Sequence, residues 1–275
     1  MNIIETISIM FHHDFGVRAL ICGGLIALCA AILGVVLVLK RYALIGDGLS
    51  HVGFGAMSIA MVLNLAPMAV AIPVVIASAL LLLRLSENSR IGGDAAIAMV
   101  STSALTIGVI AASVSKGMNV DVYSYMFGSL LAINTTDVYL CAGLCIVVLT
   151  LFFGTYKRVF AVTFDEAFSR AIGVNAEVYN TLIAILVAVT IVVGMRMMGT
   201  LLISSLIIFP ALTAMQLCKR FARVMLVAAL VAVFCVVAGL MGSFALSIPA
   251  AASVVAANMV MFVLFAGIRF VRAHL

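Results

Sequence analysis

Asp47 and His51 stand four residues apart in the stretch Arg41-Tyr-Ala-Leu-Ile-Gly-Asp47-Gly-Leu-Ser-His51-Val-Gly. On a helix that spacing projects both side chains from one face, within reach of a common ligand. A carboxylate oxygen and a neutral imidazole nitrogen suit a borderline divalent cation such as Zn2+ or Mn2+. If the helix starts near Tyr42, the two lie about 7 and 13 Å along it. One chain offers only two donors here. Two copies around a twofold axis would offer two Asp and two His, enough for a four-coordinate site. A plainer alternative is that Asp47 and His51 bond to each other, or that Asp47 pairs with Lys40 or Arg41. Spacing alone leaves both readings open.

Other reactive side chains point less clearly to chemistry. His12-His13-Asp14 has a metal-like composition but reads first as a polar lead-in to an apolar run. Cys141 and Cys145 also have i,i+4 spacing, and packing is the stronger reading. The six cysteines lie in apolar runs or at the end of one, so no disulfide framework is implied. Ser50 adjoins His51, but helical neighbours point about 100° apart and make a poor nucleophile–base pair. The sequence contains neither G-x-x-x-x-G-K-[ST] nor H-E-x-x-H, so neither a P-loop ATPase nor a zinc protease of that type is supported.

The elements that must position these residues follow from composition. The 275 residues include 15 Lys/Arg and 10 Asp/Glu, 66% are hydrophobic, and the net charge is +5. Mean hydropathy is +1.37. Soluble domains carry roughly 25% charged residues, so a chain with 9% cannot cover a water-facing surface. Long unbroken runs such as Leu25–Leu39 favour membrane helices over a closed barrel of short alternating strands. The fold class is therefore an all-α polytopic membrane protein, one transmembrane domain over 1–275. Apolar length and polar breaks place about nine spans, with eight possible, at 16–39, 43–64, 67–85, 94–115, 136–156, 177–195, 198–217, 223–242 and 247–268. The stretch 182–217 would run roughly 54 Å as one helix, so it is read as two spans joined by a tight turn near Arg196–Gly199. The region 118–134 reads as a re-entrant or interfacial helix. Pro210 follows Ser204-Ser205, whose hydroxyls are expected to satisfy backbone groups freed by a kink. Gly48, Gly53 and Gly55 read as ordinary close-packing positions. Met1–Asp14 carries Glu5 and Asp14 and no cationic stretch, a poor match to a signal peptide.

With nine spans, the positive-inside rule puts the N-terminus outside and the C-terminus in the cytoplasm. Lys40, Arg41, Arg84, Arg90, Lys157, Arg158, Arg170, Lys219, Arg220, Arg223, Arg269 and Arg272 then fall inside, and only Arg18, Lys116 and Arg196 outside. Basic residues scattered in this way between apolar runs mark membrane orientation, not a nucleic-acid-binding face. The longest inner connection, 159–176, holds a candidate short helix with Asp165 as N-cap and Gly173 as terminator. Phe164, Phe168, Ala171 and Ile172 give it an apolar face, with Glu166 and Arg170 beside it. Such a helix can dock into a groove on a soluble partner; the alternative is that it lies in the lipid interface.

Several separate segments resemble one family. Gly46-Asp47-x-x-Ser50-His51, Tyr125-Met-Phe127-Gly128-Ser-Leu-Leu131-Ala132, Phe164-Asp165 through Gly173, and Met198-Gly199-Thr-Leu201-Leu-Ile-Ser204-Ser-Leu-Ile-Ile-Phe-Pro210-Ala211 together look like the permease subunit of bacterial ABC importers for zinc and manganese, the metal-type ABC-3 permeases. Ser247-Ile248-Pro249-Ala250-Ala251 departs from the pattern, which often has an acidic residue before this proline and a glycine after it. The resemblance implies a homodimeric pathway in the bacterial plasma (inner) membrane. It implies a cytoplasmic ABC ATPase dimer on the coupling segment and an extracellular or periplasmic metal-binding protein. Asp47 and His51 match the family's intramembrane metal positions. Phe164, Asp165, Glu166, Phe168, Arg170 and Gly173 fall in its ATPase-coupling segment.

The expected function is import of a divalent metal, zinc ahead of manganese, with no permanently bound cofactor and with ATP hydrolysis on a separate subunit. Its rivals are an ATP-independent secondary metal transporter, an intramembrane enzyme using Asp47 and His51 as acid and base, and a structural scaffold.

Overall fold

Backbone polar groups have no water to bond to in hydrocarbon, so each apolar run must satisfy its own as a helix. The computed structural model describes residues 14–88, 93–114, 128 and 133–274. In chain order its helices are α1 (Asp14–Leu39), α2 (Ile45–Val62), α3 (Pro67–Asn88), α4 (Gly93–Val114), α5 (Thr135–Gly154), α6 (Tyr156–Phe164), α7 (Glu166–Ala171), α8 (Ala176–Met198), α9 (Thr200–Leu217), α10 (Phe221–Leu246) and α11 (Ala250–His274). There is no strand among the described residues.

All nine predicted spans coincide with long helices. Eight are long and apolar enough to cross a membrane by length and composition. The ninth, α2, is 18 residues long and carries Asp47, His51, two serines and four glycines. The one expected span that falls short of this measure is thus the one that bears the candidate ligands. The stretch 182–217 divides as expected, with Gly199 alone separating α8 from α9; Arg196 lies in the last turn of α8, not in the connection. Two boundaries move. α2 begins at Ile45 instead of near Tyr42, so Asp47 and His51 lie about 3 and 9 Å along it, not 7 and 13. The last helix begins at Ala250, after Ser247 has turned the chain in a left-handed conformation. His12, His13 and all of 118–134 except Gly128, Ile133 and Asn134 lie outside the described residues.

Short connections reverse the chain by one recurring device. At the end of α1, Tyr42 N–H donates to Leu37 O (2.8 Å) and Arg41 N–H to Val38 O (3.1 Å), with Arg41 at φ 63°. This is the paired 6→1 and 5→2 closure that uses up orphan helix-end carbonyls around a left-handed residue. Asn64 plays the same part after α2, where Leu65 N–H donates to Ala60 O and Asn64 N–H to Met61 O. Gly173 does so after α7, with Val174 N–H on Ser169 O (2.9 Å) and φ +83°.

α1, α2 and α8 are the most enclosed helices, and α1 packs against α5, α8, α9 and α10. α4, α5 and α11 leave apolar side chains such as Ile110, Ile146 and Val263 exposed, a surface suited to lipid. α2 is gripped by α3, α4, α8 and α9. Its glycines act as packing positions. A Cβ on Gly55 would lie 2.6 Å from the Ala104 carbonyl oxygen, and one on Gly108 would lie 2.9 Å from the Gly55 Cα. The backbones of α2 and α4 therefore touch where they cross, which only paired small residues permit. Gly48 and Gly53 likewise admit Ile97 and Met195 side chains.

Candidate metal site and coupling segment

Asp47 is the third residue of α2 and sits in its first turn, where no side chain caps the helix. The positive end of the helix dipole favours a carboxylate there. His51, one turn on, brings Nε2 to 3.5 Å from Asp47 Oδ2. That exceeds the 2.7–3.2 Å usual for a hydrogen bond, so the two are held together without closing on each other. About half of the Asp47 side chain (49%) and 22% of His51 remain accessible. Ser50 hydroxyl donates to the Asp47 backbone oxygen (2.7 Å) and lies 3.5 Å from Ser204 Oγ on α9. Ser204 also comes within interaction range of the Asp47 carboxylate. Sequence reading passed over Ser204 as a neighbour of this site, because it lies 154 positions from Ser50 and only the α2–α9 packing brings it in. Lys40, one of the alternative partners weighed for Asp47, is instead engaged with Glu166 and Asn180. No group of three or more His, Cys, Asp or Glu converges as a metal cage among the described residues. One chain brings two such side chains together here, Asp47 and His51.

The hydroxyls before Pro210 do not serve the kink. Ser204 donates to Thr200 O (3.0 Å) and Ser205 to Leu202 O (2.8 Å). Both bonds run toward the helix start, while the carbonyl deprived by Pro210 is that of Leu206, four residues before it. The cysteine reading stands: Cys141 and Cys145 are buried, Cys145 Sγ lies 3.2 Å from Cys29 Sγ, and all six cysteines are free.

The segment 159–176 has the local structure expected of it. Asp165 Oδ1 accepts the Phe168 N–H at 2.8 Å and caps α7, and Gly173 terminates the turn. The preceding residues are also helical, as α6, and their rings stack: Phe160 on Phe164 (4.9 Å) and both against Phe221 at the start of α10. Phe164, Phe168 and Ile172 keep more than half of their surface exposed, so the apolar face is unfilled. Glu166 pairs with Arg170 one turn on (2.7 Å). It also accepts the Asn180 side-chain N–H (3.3 Å) and lies 3.7 Å from Lys40 Nζ. Partial burial pushes the Glu166 carboxyl up, but the hydrogen bonds from Arg170 and Asn180 and the charges of Lys40 and Arg170 outweigh this and hold it below the usual range. At the opposite end of α8, Arg196 lies 3.5 Å from Asp137. Asp137 also accepts the Asn134 N–H (3.1 Å) in a capping box at the start of α5.

With this geometry in place, comparison with known proteins is specific. The family described as ABC 3 transport family matches residues 12–268. The chain is 27% identical over 255 residues to the manganese transport system membrane protein MntC of Halalkalibacterium halodurans, covering 93% of this chain and 87% of that one. It is 32% identical over 206 residues to the high-affinity zinc uptake system membrane protein ZnuB of Haemophilus influenzae, covering 74% of this chain and 77% of that one. Among solved structures, PsaBC from Streptococcus pneumoniae in complex with Fab superposes with a TM-score of 0.87 at 26% identity, covering 96% of this chain and 95% of that one.

Proposed function

The chain belongs to the ABC 3 transport family, and from that membership we propose that it is the permease of an importer for a divalent metal, zinc ahead of manganese, with Asp47 and His51 as its transient ligands. As a permease of this family it is a multi-pass inner-membrane protein and not an enzyme; ATP hydrolysis belongs to a separate subunit. That sets aside acid–base catalysis by Asp47 and His51.

The observation that carries the metal reading is the Asp47–His51 pair: two donors one turn apart, 3.5 Å from each other, 49% and 22% accessible, on the one long helix that falls short of membrane-span length and composition. Two copies facing each other would supply two oxygens and two nitrogens, a set that suits four-coordinate Zn2+. Zn2+ also binds such donors more tightly than Mn2+ does. The relatives named for manganese and for zinc support the class of cargo. In this reading the basic end of the bundle faces the cytoplasm. The exposed face of Phe164, Phe168 and Ile172 receives an ATPase dimer, with Asp165, Glu166, Arg170 and Gly173 shaping the segment. A metal-binding protein delivers cargo at the other end. Movement of 159–176 alternates access to the pair.

The test is ATP-driven uptake of radioactive Zn2+ and Mn2+ by proteoliposomes holding the permease with its ATPase and binding protein. Asp47→Ala is expected to abolish uptake while the complex still assembles; wild-type uptake in that variant would remove Asp47 from the pathway. Imidazole must be neutral to ligate. Uptake is therefore expected to fall as the site acidifies, and a flat profile rules against His51 as a ligand.

A further inference from the structure

Lys40 is the last charged residue before the turn that starts α2, apart from the exposed Arg41, and its side chain is only 11% accessible. A nearly buried ammonium needs partners. It finds them on two other elements: the Glu166 carboxylate of α7 at 3.7 Å, and the Asn180 side-chain oxygen of α8, to which it donates a short hydrogen bond. Asn180, 3% exposed, in turn donates to Glu166 at 3.3 Å. The three groups thus form a closed triangle across α7, α8 and the α1–α2 turn. Arg170 holds Glu166 from the solvent side.

That turn is short and rigid. Arg41 is fixed in a left-handed conformation by two backbone hydrogen bonds, and Ile45 N–H bonds to Tyr42 O (3.0 Å). Lys40 is therefore joined to the first turn of α2, and so to Asp47 seven residues on, through a connection with little slack. Asn180 ties the same point to α8, which packs along α1, α2 and α3.

We propose that the Lys40–Glu166–Asn180 triangle is a mechanical latch: Lys40 is a positioning residue through which displacement of the coupling segment is passed to the helix bearing Asp47 and His51. The proposal rests on the transporter reading above. It goes beyond it by assigning the step between ATPase docking and the metal pair to named groups. A solely structural role predicts that loss of the latch lowers all activity together. A transmission role predicts that hydrolysis continues while transport fails.

The experiment compares metal imported with phosphate released, in proteoliposomes containing the permease, ATPase and binding protein, with Zn2+ and Mn2+ tested separately. Lys40→Gln is expected to lower metal imported per ATP by about tenfold, within the range typical of coupling between sites, with phosphate release near wild type. Lys40→Arg, which keeps the charge, is expected to recover most of the ratio. Should Lys40→Gln fail to assemble, Asn180→Leu decides the matter, because it loosens the triangle without burying an unpaired charge; a several-fold fall in the ratio supports the latch. An unchanged ratio in the variant that assembles, whether both rates fall together or neither does, overturns it. Absence of ATP-driven uptake in the wild-type complex is a different result, since it removes the transporter reading itself.

Discussion

The two ends of α8 both carry a charge contact, and they are built on different principles. At the basic end, Asn180 joins Lys40 and Glu166 in a network spanning three elements, with the ammonium almost wholly enclosed. At the far end, about 24 Å along the helix, Arg196 meets Asp137 in a single contact at 3.5 Å with its side chain 39% accessible. Asp137 does not depend on Arg196, because it also belongs to a capping box in the first turn of α5, where the helix dipole favours it. Lys40 is held through contacts to other elements instead. Removing a partner from an enclosed charge leaves a costly group behind, whereas Asp137, 13% accessible, keeps the Asn134 N–H and the helix dipole when Arg196 is lost.

The largest effect expected from this contrast is that Lys40→Met destabilises the protein by about 2–3 kcal/mol, below the full cost of breaking a buried pair because Glu166 retains Arg170. Thermal unfolding in detergent measures it, and a loss no larger than that of an Arg196 variant would erase the distinction between the two ends. Next is Gly173→Ala, expected to cost about 1–2 kcal/mol because a Cβ resists the left-handed conformation at φ +83°. No atom crowds this position, so the loss is purely conformational. Gly173→Asn should recover part of it, since asparagine tolerates that conformation better.

Acidification probes the basic end. The folded-state pKa of Glu166 is depressed, so the stability it contributes is present at neutral pH and lost as pH falls below the ordinary carboxylate value of about 4.3. Glu166→Gln should flatten that acid limb of the stability curve; an unaltered limb would mean that Glu166 contributes nothing there. The smallest effect is assigned to Arg196→Gln, under about 1 kcal/mol. A loss as large as that of Lys40→Met would show the far end to be equally committed.

The features that could be read from sequence are those whose cause lies within a few residues. Asp165 and Gly173 bracket a short helix because capping and left-handed turns are local chemistry. The break at Gly199 followed from helix length against bilayer thickness. Asp47 and His51 were visible because spacing places them on one face. What escaped depends on tertiary packing. Lys40 reads from sequence as an orientation charge or a partner of Asp47, since its observed partners lie 126 and 140 positions away. Asn180 was an unremarked polar residue inside a predicted span, although a buried amide in such a place is itself a signal. The role of the serines before Pro210 escaped because proximity in sequence does not say which carbonyl a hydroxyl reaches: Ser204 and Ser205 turn back toward residues four and three earlier, away from the gap.

The crossing of α2 and α4 at Gly55 and Gly108 has a consequence for observing this protein at work. With the two backbones in contact, neither helix can slide or tilt far without carrying the other. α4 thus behaves as an external pointer for its hidden neighbour. Ile110, on the outward side of α4 and 58% exposed, offers a place for a spin label or fluorophore whose displacement tracks the helix of Asp47 and His51 while leaving both side chains untouched.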